Sequence, residues 1–96
     1  MERHRPLQLG EAYPNPMLRT VRIPFDSGTP RRLRLDLFDV TGRLVATLFD
    51  GEAAPGPQHV TWNGRNAEGV SASAGLYFYR LSDGNSALTR KLLLIK

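Results

Sequence analysis

The chain has 96 residues, room for one small domain with a modest core. With 41% hydrophobic and 23% charged residues it lies in the globular range, and with no cysteine it has no disulfide framework, thiolate metal site or thiol nucleophile. The net charge of +4 points loosely to an anionic partner: nucleic acid, an anionic membrane surface or an acidic polymer.

That charge is unevenly placed. Residues 19–34 hold five arginines and one acid, and residues 90–96 hold three cations and no acid. Residues 35–89 carry three cations against six acids, so the basicity lies in two patches flanking an acidic middle. Solvated strand faces are the plain explanation for both patches.

Residues 1–12 are expected to be a lead-in from a longer parent protein, with Leu7 and Leu9 alternating as a short edge segment. Tyr13-Pro14-Asn15-Pro16 follows. Each proline fixes its own φ and holds the preceding residue extended, which forbids helix. Beyond it apolar residues recur at period two: Val21, Ile23, Phe25; Leu33, Leu35, Leu37; Val60, Trp62; Tyr77, Tyr79, Leu81. This is the pattern of half-buried antiparallel strands. Residues 43–49 and 87–95 are also strand-like, but their inward face is unclear because Leu92 to Ile95 is unbroken apolar sequence. Turn signals separate the runs at Asp26-Ser27-Gly28, Asp39-Val40-Thr41-Gly42, Pro55-Gly56-Pro57, Asn63-Gly64 and Asp83-Gly84-Asn85. Short strands at this spacing predict an all-β sandwich or barrel. No apolar run reaches the roughly 18 residues of a membrane-spanning helix.

Few constellations suggest chemistry. His59 falls on an outward strand face, with no nucleophile and orienting acid beside it in the sequence. Asp36 and Asp39, three apart on a strand, point to opposite faces rather than converging on a substrate. Residues 63–69 have some flavour of a calcium loop, but only Glu68 is acidic, and an Asx-stabilised turn is the expectation. Trp62, Tyr77 and Tyr79 share phase with aliphatics and are expected in the core, leaving Phe78 to point outward. No glycine loop is followed by the helix that a phosphate site needs.

Taken in order, these segments resemble a known family. Tyr13-Pro14-Asn15-Pro16 opens the pattern, and Leu35-Asp36-Leu37-Phe38-Asp39-Val40-Thr41-Gly42-Arg43-Leu44-Val45 gives a hairpin. His59-Val60-Thr61-Trp62-Asn63-Gly64-Arg65-Asn66-Ala67-Glu68-Gly69 follows, then Ala74-Gly75-Leu76-Tyr77-Phe78-Tyr79-Arg80-Leu81 and the basic ending Thr89-Arg90-Lys91-Leu92-Leu93-Leu94-Ile95-Lys96. Residues 13–96 thus resemble the type A C-terminal sorting domain of type IX (Por) secretion cargo. They are also similar to the overlapping immunoglobulin-like domain family of the flagellar hook-capping protein. The chain departs from the usual pattern at Met17-Leu18-Arg19, Ser27-Gly28 and Asn63.

The resemblance implies an immunoglobulin-like antiparallel β-sandwich of about seven short strands, without catalytic residues, cofactor or metal. It implies a secreted or cell-surface protein whose C-terminal domain is recognised by an outer-membrane translocon and its C-terminal-signal peptidase. An anionic surface glycolipid is a further implied partner, nucleic acid is not, and a monomer is expected. The alternative is an accessory immunoglobulin-like module: a spacer, a carbohydrate-binding module or a hook-cap-type assembly domain. Each candidate recognition residue has an expected role. Pro14, Asn15 and Pro16 would set a rigid lead into the first long strand, and Gly42 and Gly75 would supply backbone conformations that a Cβ disfavours. Arg43 would pair with Asp39, and Tyr77 would fill the core with its hydroxyl at the rim. Arg90, Lys91 and Lys96 would meet an acidic receptor surface.

Overall fold

The computed structural model describes residues 6–95. Lys96 and residues 1–5 lie outside that range. The described chain is built from strands and turns: β1 (Gln8–Leu9), β2 (Val21–Asp26), β3 (Arg31–Asp39), β4 (Leu44–Ala53), β5 (Pro57–Trp62), β6 (Gly75–Ser82) and β7 (Ala87–Leu94). They form two antiparallel sheets, β1-β2-β5 and β4-β3-β6-β7. This is the seven-stranded immunoglobulin-like sandwich that the resemblance implies, and among the described residues no helix is long and apolar enough to cross a membrane.

Period-two alternation builds the core, because every second side chain of a strand faces the opposing sheet. Val21, Ile23 and Phe25 of β2 face Leu33, Leu35 and Leu37 of β3, with Tyr77, Tyr79 and Leu81 of β6; all are buried. Trp62 is buried at the end of β5, its ring edge-on to Tyr77 at 5.5 Å. The ambiguous apolar run resolves cleanly: Leu92 and Leu94 are buried, whereas Leu93 and Ile95 face out.

β4 breaks the alternation. Its pairing with β3 shifts register between Leu35 and Asp36 and again between Leu37 and Phe38. Each shift inserts one residue into β4 and re-aims the side chains beyond it. That is why residues 43–49 show no clean inward face in the sequence.

The segment ahead of Tyr13 is part of the sandwich. Gln8 and Leu9 pair with Asp26 and Phe25, and Leu7, Leu9 and Ala12 are buried. The Tyr79 hydroxyl fixes this segment to the opposite sheet. It donates to Gly10 O at 2.8 Å and accepts from the Ala12 N–H at 2.9 Å. A tyrosine on an inward face needs such partners, because an unpaired buried hydroxyl is costly.

Candidate functional site

Two stretches nearly eighty residues apart meet at the outer edge of β7. Odd-numbered residues there turn their peptide groups away from β6, and Asn15 meets them as a peptide would. Its side-chain carbonyl accepts the Leu93 N–H at 3.0 Å, and its side-chain amide donates to Lys91 O at 3.2 Å. Met17 continues the contact as a parallel bridge. Its N–H donates to Leu93 O at 2.8 Å, and its carbonyl accepts the Ile95 N–H at 2.9 Å. The Met17 side chain is fully buried.

Pro14 and Pro16 flank Asn15, and both X–Pro bonds of this run are cis. Neither proline has an N–H to leave unpaired. The motif therefore does more than lead into β2: it covers half of an edge that would otherwise pair with another strand.

The basic residues of β7 divide. Arg90 Nε donates to Leu9 O at 2.7 Å, spanning the two sheets from an inward strand position. Its Nε is thereby committed to the fold, while the residue as a whole stays exposed. Lys91 is exposed on the outer face. Lys96 lies outside the described residues.

Gly42, Arg43, Gly75 and Tyr77 gather at a different place. The β3–β4 turn is an Asx turn. Asp39 Oδ1 accepts from the Thr41 hydroxyl at 2.6 Å, the Thr41 N–H at 2.9 Å and the Arg43 N–H at 3.1 Å. These bonds, the Thr41 hydroxyl foremost, hold its carboxyl below the usual carboxylate range. Arg43 thus meets Asp39 through its backbone N–H rather than through the expected side-chain ion pair; no such pair joins them among the described residues. Gly42 closes the turn at φ +85°, and Gly75 starts β6 at φ +152°, both values that L side chains rarely adopt. Tyr77 is buried with its hydroxyl at the rim, donating to Ser73 O at 2.6 Å. Burial pushes that hydroxyl's pKa up.

Asp39, Arg43 and Tyr77 line a cleft of about 1030 Å³ between the facing edges of β4 and β5, which do not pair. The turn after Trp62 forms the other wall, and its carboxamides are spent on backbone. Asn63 accepts from Arg65 N–H, Asn66 from the N–H groups of Glu68 and Val70, and Trp62 Nε1 donates to Arg65 O. This is the Asx-stabilised turn. Among the described residues no three His, Cys, Asp or Glu side chains gather to hold a metal. What the cleft offers is hydrogen bonding and charge from Arg43 and Glu68, both exposed, since its other charged groups, Asp39 and Arg65, are bonded to backbone. His59, the one described histidine, stands exposed on the outer face of β5 opposite Pro24.

Of the ten candidate recognition residues, the structure brings Pro14, Asn15, Pro16 and Lys91 to the β7 edge, sets Arg90 against β1, lines the cleft with Arg43 and Tyr77, and places Gly42 and Gly75 in the backbone of the β3–β4 turn and at the start of β6; Lys96 lies outside the described residues. Sequence reasoning misses Met17 and the Tyr79 hydroxyl. The latter has a signal, since an inward tyrosine demands a polar partner.

The family model described as the FlgD Ig-like domain matches residues 21–87. No curated protein matches the sequence. Among solved structures, the chain superposes on dimeric latent PorU from Porphyromonas gingivalis with a TM-score of 0.77 at 22% identity, over 93% of this chain and 9% of that one. It superposes on PorZ, an essential bacterial surface component of the type IX secretion system of P. gingivalis, with a TM-score of 0.60 at 24% identity, over 90% of this chain and 11% of that one. The alkylpurine DNA glycosylase AlkC of Pseudomonas fluorescens, solved bound to DNA, matches with a TM-score of 0.54 at 15% identity, over 96% of this chain and 31% of that one. At these identities the likeness is one of fold, and this chain spans a small part of each of those proteins.

Proposed function

The chain belongs to the FlgD Ig-like domain family, and from that premise we propose that it is a non-catalytic C-terminal sorting domain. In this reading it directs a multidomain secreted protein through the outer membrane to the cell surface by the type IX system. One observation carries the proposal: the fold matches, over 90% of its length, a domain-sized part of PorZ, a surface component of that system. The higher TM-score with PorU supports the same reading. The partners would be the outer-membrane translocon and its C-terminal-signal peptidase, with an anionic glycolipid at the destination and no cofactor. Lys91, exposed beside the covered β7 edge, is the residue best placed to meet the translocon.

The test is a fusion of the whole chain to the C-terminus of a periplasmic reporter in a bacterium that has the type IX system. The reporter is expected on the cell surface or in the medium, with export reduced by Lys91→Glu. Retention in the periplasm would refute the sorting role. The family match itself favours a second reading, an accessory immunoglobulin-like module. Such a module would leave the reporter periplasmic, and in its carbohydrate-binding form would carry it onto polysaccharide in a pull-down.

A further inference from the structure

The outer face of the four-stranded sheet is charge-balanced at one end and not at the other. At the balanced end Arg32 pairs with Asp50 at 2.7 Å, and Arg34 pairs with Asp36 at 2.9 Å. Asp36 also accepts from the Thr47 hydroxyl, so the outward charges there cancel one another. At the other end the register sets Leu44, Phe38, Phe78 and Lys91 side by side across all four strands. Leu76 and Leu93 form the adjacent pair on β6 and β7. Val40, at the hairpin tip, is 65% exposed, and Leu44 is 51% exposed.

Arg80 lies over the Phe38 ring, 4.8 Å from its centroid. Neither Arg80 nor Lys91 makes an ion pair among the described residues. Phe38, Asp39, Val40, Gly42, Phe78, Arg80 and Thr89 line a depression of about 330 Å³, and Asp39 there is turned to the Thr41 and Arg43 donors of its own turn.

A monomer's scattered surface apolar residues need no explanation, but contiguous aromatics rimmed by charge mark interaction sites. Aromatic and arginine side chains are also what protein hot spots are made of. We propose that this face is a docking surface for a partner protein that presents an apolar side chain flanked by carboxylates. The apolar side chain fills the depression between Phe38 and Phe78, and the carboxylates meet Arg80 and Lys91. Charge complementarity selects this occupant. A second copy would set cation against cation across the seam, and each ring is already half-buried in the sheet, too recessed to insert into a bilayer. The surface shares Lys91 with the β7 edge and Asp39 with the cleft, but Phe38, Phe78 and Arg80 belong to neither, and it does not depend on the sorting role.

The test is selection of a random peptide library, displayed on phage, against the immobilised full chain. Enriched peptides are expected to carry an aliphatic or aromatic residue between Asp or Glu. A synthetic peptide of the enriched sequence should bind about tenfold or more weakly to Phe78→Ser and to Arg80→Glu. It should bind unchanged to His59→Ser, on the opposite sheet. Arg80→Glu keeps the test sound should Phe78→Ser perturb folding, since Arg80 is exposed. Enrichment of basic peptides, no enrichment, or binding indifferent to Arg80→Glu overturns the proposal. So does co-sedimentation with phosphatidylglycerol vesicles that Arg80→Glu abolishes while no peptide is enriched, for then the face reads lipid.

Discussion

Two side chains, Asp83 and Asn15, tie distant parts of the chain together through bonds to backbone, Asp83 with an ion pair to Arg31 besides. Asp83 sits in the β6–β7 turn, accepting from the N–H groups of Ser86 at 2.7 Å and Asn85 at 2.9 Å, and from Arg31 at 2.7 Å. The two backbone donors, with Arg31 behind them, lower its pKa to about 2. A depressed carboxylate stabilises the fold fully above its unfolded value near 3.8, and that contribution is lost as pH falls towards about 2. Denaturant unfolding at pH 5 and pH 2.5 should therefore show a loss of stability in the parent chain that Asp83→Asn reduces, the remainder coming from Asp39, whose carboxyl is also held low. Asn15 is the other such residue. Both of its bonds are exposed, so water replaces them in Asn15→Ala, and the expected cost is about 1 kcal/mol. In a domain of this size that is a fall in Tm of about 4–8 °C, readable by calorimetry.

At the scale of elements, β1 and the turn after it matter more than their length suggests. The family match begins at Val21, and the sequence resemblance begins at Tyr13. Yet Leu7 and Leu9 are buried, and their removal would expose Phe25 and leave the Tyr79 hydroxyl without its Gly10 and Ala12 partners. Burial of two leucines contributes about 1.5–3 kcal/mol each, and the orphaned hydroxyl costs about 1–3 kcal/mol more. A chain starting at Tyr13 should accordingly lose about half or more of the net stability of a small domain, read as a lower urea midpoint.

The elements also show what sequence could convey. The strands β2, β3 and β6 were legible because alternation is local: each residue's face is set by its neighbours. The turn chemistry of Asp39, Asn63 and Asn66 was legible for the same reason. The partner of Asn15 was not, since nothing in Pro14-Asn15-Pro16 specifies a strand seventy-six residues away. Arg90 looked like a surface cation because β7 is apolar on both faces near its end, which hides the phase. Only the buried pair Leu92 and Leu94 fixes that phase, and it puts Arg90 on the inward side, against Leu9.

At the scale of the molecule, the two ends of the described chain close one structure. β1 lies on one sheet and β7 on the other, joined by Arg90 to Leu9, while Asn15 and Met17 run along the β7 edge. No disulfide reinforces this closure, since the chain has no cysteine. Deleting residues 92–96 removes Leu92 and Leu94, both fully buried, and the partners of Met17. Losing a buried leucine costs about 2–5 kcal/mol, so the pair alone rivals the whole net stability of such a domain. The truncated chain should lose its cooperative thermal transition and its amide dispersion in NMR. A loss of export from that deletion would then report unfolding rather than a missing signal. Lys91→Glu separates the two effects. Its side chain is exposed and makes no ion pair among the described residues, so its Tm should stay within what about 0.5 kcal/mol allows. Export lost with Tm unchanged would assign Lys91 a role in recognition, and export unchanged would remove it from the recognised surface.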